Sequence, residues 1–189
     1  MVRQYKRKLN KKRFFYPREY LKFLSVIPKD AHKFYYEFLL HTGMRHNEAR
    51  NVNLADIDFE RETIFIRKPK NNKQRTIQIS TAFKNRLQAY VRTNKITTTL
   101  GIPTLPFMDT YIKKYAQKAE IQDYMDFSCH NIRKTLENWL LALNINTMAI
   151  VAHCGHQIDT AQGYYIATSL MQADDKVLIR SILDNLLNK

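Results

Sequence analysis

"LLHTGMRHNEARNVNLADIDF", residues 39–59, governs how the rest of the chain is read. Upstream, KDAHKFYYEFLLHTG (29–43) repeats apolar residues at helical spacing. Gly43 follows them, where a helix end favours a residue with left-handed backbone. Downstream, Arg45 and Glu48 stand three residues apart, which on a helix gives them a common face. RHNEARNVNLADI is expected to form a second short helix running into a turn. Taken alone, Arg-x-x-Glu is an ordinary surface ion pair, so its meaning depends on what the remaining chain supplies.

Working outward, PREYLKFLSVI from Pro17 predicts a helix with proline in its first turn. Residues 1–16 before it read as a flexible basic arm. ETIFIRK and RTIQIS alternate and are β-branched, with turn-forming PKNNKQ between them, which predicts a hairpin with a cationic tip. A helix follows from Thr81 through AFKNRLQAYVR, and TNKITTTLGIPTLP (93–106) reads as the main internal loop. Helices and short turns then alternate, with Trp139 on TLENWLLALNI. The last helix is expected over about 173–187, with Val177, Leu178, Ile179, Ile182, Leu183, Leu186 and Leu187 as its apolar set. The fold class is mainly α with a small antiparallel β-sheet (α+β), and one domain over residues 17–189.

Composition narrows the function. The net charge is +14, and residues 1–20 carry eight Lys or Arg against Glu19 alone. The second basic cluster, RKPKNNKQR (67–75), contains no acid. Two separated basic clusters around a folded region favour a groove that tracks phosphates. No run reaches the length of a membrane span. Two cysteines without a CxxC pair suit a reducing compartment, so an intracellular protein is expected, with no membrane partner.

Four stretches carry chemistry: TGMRHNE, RKPKNNKQRTIQI, HNIR and GHQIDTAQGYY. Each is bland by itself. In this order they supply two arginines, a lysine, two histidines and a tyrosine. Two arginines clamp the non-bridging oxygens of a phosphodiester in a geometry lysine cannot copy. A lysine or histidine protonates a leaving sugar oxygen, and a tyrosine beside cations becomes a usable nucleophile. Cys129, His130, His153, Cys154 and His156 offer soft ligands, but their spacing matches no ordinary zinc module, so no metal site is assigned.

On these residues the chain resembles the catalytic domain of the tyrosine recombinases, the phage-integrase and Xer family, from about Pro17 to the last helix. TGMRHNE followed by LADID is similar to the family's first-arginine segment, which makes Arg45 the first catalytic arginine and Glu48 its supporting acid. KNNKQRTIQI resembles the family hairpin, whose matching lysine is Lys70, with Lys68 and Lys73 as rivals. Lys68, Lys73 and Arg75 are expected to contact DNA backbone. HNIRKT resembles the H-x-x-R-x-T box, giving His130 and Arg133, and AHCGH assigns His156 to the third position. For the nucleophile, strict counting from His156 reaches Tyr165, whereas IDTAQGY matches the commoner wording and points to Tyr164. Tyr164 is favoured and Tyr165 is the alternative. Adjacent helical residues point about 100° apart, so the two do not face one phosphate together.

The resemblance implies a site-specific recombinase that attacks a DNA phosphodiester, forms a 3′-phosphotyrosine link and releases a 5′-hydroxyl, needing no metal, ATP or other cofactor. It implies double-stranded DNA as partner and a tetramer on DNA, with the last helix able to dock on a neighbour or on its own core. A basic arm over 1–16 is expected in place of the N-terminal core-binding domain common in the family. Two rival readings are a non-catalytic DNA-binding protein and a type IB topoisomerase-like relaxation activity. His32, His41 and His46 read as structural or surface residues.

Overall fold

The computed structural model describes residues 13–67, 74–155 and 171–187. Its helices are α1 (Pro17–Ser25), α2 (Asp30–Thr42), α3 (His46–Arg50), α4 (Thr81–Thr93), α5 (Leu105–Lys118), α6 (Cys129–Ala142), α7 (Thr147–Cys154) and α8 (Ala173–Leu183). Between α3 and α4 lies an antiparallel sheet in the order β1 (Ile57–Asp58), β2 (Thr63–Ile66), β3 (Arg75–Gln78). The mainly α class with a small antiparallel sheet is the observed one.

Alternation sets the sheet. Ile64 pairs with Ile77 and Ile66 with Arg75, and Ile64, Ile66 and Ile77 are buried while Phe65 faces outward. This is the two-residue period of a half-buried strand. The strand β1 was not expected: its two residues pair Ile57 with Ile64, too short for a period to show within LADID.

The centre of the core is α6, which packs on α2, α5, α7 and α8. Trp139, Leu136 and Leu140 are fully enclosed. Of the arm expected over 1–16, residues 1–12 lie outside the described residues, and the remainder is packed rather than free. Phe14 and Phe15 are buried, Phe15 N–H donates to Thr135 Oγ1 at 2.9 Å, and Trp139 Nε1–H donates to the Phe15 carbonyl at 3.0 Å. Residues 13–16 belong to the core because FFY gives aromatic area to bury, worth about 1.5–3 kcal/mol per enclosed side chain.

Two other boundaries move. Leu105 and Pro106, read as loop, begin α5, with proline in the first turn where its missing N–H costs nothing. The last helix stops at Leu183, not 187, because Asp184 takes a positive φ of 53°; Leu186 is nonetheless buried. Ile179 and Leu183 point into this chain's own core, against α1 and α6, while Val177 stays exposed. Among the described residues no helix is long and apolar enough to cross a membrane.

Two glycines fix the helix ends that matter most. Gly43 caps α2 at φ 59°, and a Cβ there would stand 2.8 Å from Leu136 Cδ2 and 3.0 Å from Cys154 Sγ. Gly155 caps α7 at φ 68°, and a Cβ there would stand 2.7 Å from the Arg75 guanidinium. Both positions require left-handed backbone and no side chain.

Candidate active site

The site is built where helix ends meet. Arg45 is not inside a helix, as its spacing suggested, but is the N-cap of α3 with extended backbone (φ −68°, ψ 147°). Glu48 reaches back to accept from the Arg45 N–H at 3.0 Å and from Arg45 Nη1 at 3.2 Å. The pair is therefore a cap and its clasp, set by sequence spacing but not by a shared helical face.

Glu48 also accepts from Arg75 Nη2 at 2.9 Å. Its side chain is only 2% exposed. Burial opposes its charge, but the hydrogen bonds from Arg75 and the Arg45 backbone, with the charges of both guanidinium groups, outweigh it and hold the carboxyl below its ordinary value.

Arg75 was expected on DNA backbone. The structure turns it inward instead: besides Glu48, it donates to the His153 carbonyl at 3.2 Å and the Cys154 carbonyl at 3.1 Å. Arg45 Nη2 takes the next carbonyl, Gly155, at 3.2 Å. Two guanidinium groups thus satisfy the last carbonyls of α7, where a helix leaves acceptors unpaired and its dipole is negative. Strand period explains the inward turn, since Arg75 lies two residues before buried Ile77 and opposite buried Ile66.

The arginine of HNIRKT lies deeper. Arg133 is 2% exposed, pairs with Glu137 at 3.0 Å, and donates from Nη1 to the Gly43 carbonyl at 2.8 Å. Gly43 is two residues before Arg45, so the bond to its carbonyl brings both arginines to one junction. His130 sits one turn earlier on the same helix and is exposed. The start of that helix is fixed by Asp109, whose carboxylate accepts from Cys129 N–H at 2.8 Å, and by Asn131, which accepts from Ser128 N–H at 2.8 Å.

Among the described residues, three guanidinium groups, Arg45, Arg75 and Arg133, therefore face two carboxylates, Glu48 and Glu137, around one helix end. The excess is one positive charge, which suits an anion. His153, buried beside them, is pushed down to about 4 by burial and by Arg75 and Arg133, so it is neutral at pH 7.

The other expected histidines are structural. The ring of His32 bonds Tyr115 Oη at 2.7 Å, His46 Nε2 lies 2.8 Å from the Pro103 carbonyl, and His41 stacks on Phe83. Among the described residues, no cluster of three His, Cys, Asp or Glu side chains is arranged to hold a metal ion.

The structure thus gathers Arg45, Glu48 and Arg133. Lys68, Lys70, Lys73, His156, Tyr164 and Tyr165 lie outside the described residues. Sequence reasoning overlooked two members: Arg75 as an internal ligand, signalled by strand alternation, and Glu137, signalled by its i+4 spacing from Arg133.

Comparison with known proteins supports this fold. The phage integrase family model matches residues 13–170. The chain is 28% identical over 144 residues to tyrosine recombinase XerA of Saccharolobus solfataricus, covering 76% of this chain and 48% of that protein. It is 27% identical over 185 residues to XerA of Thermococcus onnurineus, covering 88% and 63%. The chain thus spans between about half and under two thirds of these relatives. In fold it is similar to a crystal structure of XerA recombinase, with TM-score 0.68, 18% identity, and 89% and 62% coverage. It is also similar to the Tn1549 transposon integrase in complex with transposon right end DNA, with TM-score 0.69, 20% identity, and 88% and 64% coverage. With the family model spanning most of its length and its motifs in family order, the chain belongs to the phage integrase family.

Proposed function

We propose that this chain is the catalytic part of a site-specific DNA recombinase that works through a tyrosine–DNA link. The observation that carries the reading is the excess of guanidinium over carboxylate at the end of α7, two residues before His156 in the sequence. Arg45 and Arg133 clamp the non-bridging oxygens of the scissile phosphate and stabilise the charge that builds as it becomes five-coordinate. Tyr164 Oη, with Tyr165 as the alternative, attacks phosphorus, and the P–O5′ bond breaks. Lys70 delivers a proton to the departing 5′ oxygen, and His130 and His156 hydrogen-bond the phosphate and move protons. The phosphotyrosine stores the bond energy, so a 5′-hydroxyl from a second strand reverses the step without ATP or a metal. Lys68 and Lys73 hold DNA backbone, as do the basic residues before Arg13. Double-stranded DNA is the partner, the protein acts as a tetramer on it, and it works inside the cell.

Relatives support this reading: the curated ones are named tyrosine recombinases, and one fold neighbour is XerH bound to its difH substrate. The test is covalent trapping on supercoiled plasmid in EDTA, stopped with SDS. Protein-linked nicked DNA is expected from the wild type and is abolished by Tyr164→Phe. Loss with Tyr165→Phe instead moves the nucleophile by one residue. No adduct, even on nicked substrates that prevent religation, would leave a DNA binder and overturn the enzyme reading.

A further inference from the structure

Arg133 and Glu137 lie four residues apart on α6, and both side chains are almost wholly enclosed, at 2% and 3% exposure. Arg133 Nε donates to Glu137 Oε1, and Arg133 Nη1 donates to the Gly43 carbonyl. A third group joins them. The Cys154 thiol, fully buried, is pushed up to about 12 by burial first and by the neighbouring Glu137 carboxylate, so it stays neutral beside the pair. Glu137 therefore holds, through Arg133, α6 to the end of α2, with the last residue of α7 packed beside it.

A buried guanidinium without a counter-charge is costly, and so is a buried carboxylate alone. Here each compensates the other. A guanidinium has its N–H donors in one rigid plane, so bonds from Nε and Nη1 to two fixed acceptors set both its plane and its depth. Such a group needs no reordering when a phosphate arrives. Exposed Arg18, by contrast, meets Asp174 only at 3.7 Å with both side chains mostly in solvent.

We infer that Glu137 is a positioning residue for strand cleavage: its buried carboxylate holds Arg133 in the orientation the scissile phosphate requires, and it acts only through Arg133. The inference rests on the reading of Arg133 as a phosphate ligand.

The experiment compares wild type, Glu137→Gln, Arg133→Lys and the double variant on supercoiled plasmid. The rate of covalent adduct formation and the retention of plasmid in a gel are measured in parallel. Glu137→Gln is expected to slow adduct formation about 10-fold to 100-fold. Plasmid retention should stay within about threefold, because bulk affinity comes from many phosphate contacts. The double variant should be no more than about twofold slower than Arg133→Lys alone, since both changes remove one function. A wild-type rate for Glu137→Gln beside an impaired Arg133→Lys overturns the inference and leaves the clamp intact. So do losses that multiply in the double variant. A wild-type rate for Arg133→Lys instead removes the clamp reading itself. Should Glu137→Gln fail to fold by circular dichroism, Glu137→Asp keeps the charge and shortens its reach. That variant should also cleave slowly at unchanged retention, and a wild-type rate would overturn the inference equally.

Discussion

Helix α6 joins two regions that are held together by different physics. On one side Trp139 meets Tyr20 edge to face, and Phe15 packs on Phe23 and Phe127. On the other, Arg133 and Glu137 join the junction where Arg45, Arg75 and Glu48 close around the end of α7. The aromatic region gains free energy from area removed from water, a non-directional effect that tolerates small shifts. The charged region gains little net stability, because desolvation offsets most of the Coulomb attraction. What it gains is fixed geometry. One region makes the protein fold, and the other decides where three positive charges stand once it has.

That contrast is broken or sharpened by substitution. The largest expected change in stability is for Trp139→Ala, about 3–5 kcal/mol by urea unfolding, since the indole is fully enclosed and its N–H is bonded to Phe15. A loss under about 1 kcal/mol would mean that the aromatic region is not the stabilising one. Next, Arg45→Ala should slow adduct formation about 10²–10³-fold. Its unfolding midpoint should move far less than that of Trp139→Ala, because Glu48 keeps Arg75 as partner. Comparable destabilisation by both would erase the division.

A smaller effect is expected for Gly155→Ala. Left-handed backbone costs a side chain about 1–2 kcal/mol, and the new Cβ would displace the Arg75 guanidinium. Both stability and cleavage should therefore fall, and a change in only one would show that Arg75 and the helix end are not coupled. The smallest effect concerns pH. Glu48 has a lowered folded-state pKa, so it contributes stability above the ordinary carboxylate value of about 4.3. That contribution is lost as pH falls through the folded value. Urea midpoints below about pH 4.3 should decline less steeply in Glu48→Gln than in wild type, and identical slopes would remove Glu48 from the acid response.

Much of this division was legible in the residues. The helical period gave α1, α2, α4 and α6, alternation gave β2 and β3, and TGMRHNE with HNIRKT marked Arg45, Glu48, His130 and Arg133. What was not legible depends on tertiary partners. FFY in a basic stretch reads as an arm until Thr135 and Trp139 supply the bonds that hold it. Arg75 reads as a DNA contact because local charge dominates the hairpin, yet the carbonyls left unpaired at the end of α7, the first of them 78 residues away in sequence, hold it inward. Glu137 draws no reading from the sequence, because only the packing of α6 against α2 and α7 makes it an interior residue. The cap geometry of Arg45 was hidden for a simpler reason: three-residue spacing is shared by a helical face and by a capping box.

The bonds from Thr135 and Trp139 to Phe15 also carry a consequence for how the protein comes into being. They span 120 and 124 residues. A chain made from its N-terminus at 5–20 residues per second leaves Phe14 and Phe15 waiting for roughly 6–25 s before their partners emerge. The helix bearing Arg133 is synthesised late and closes the fold over its earliest segment. The arginine junction is therefore assembled in the same late event that buries those two rings, and a ribosome-bound chain stopped before α6 has neither.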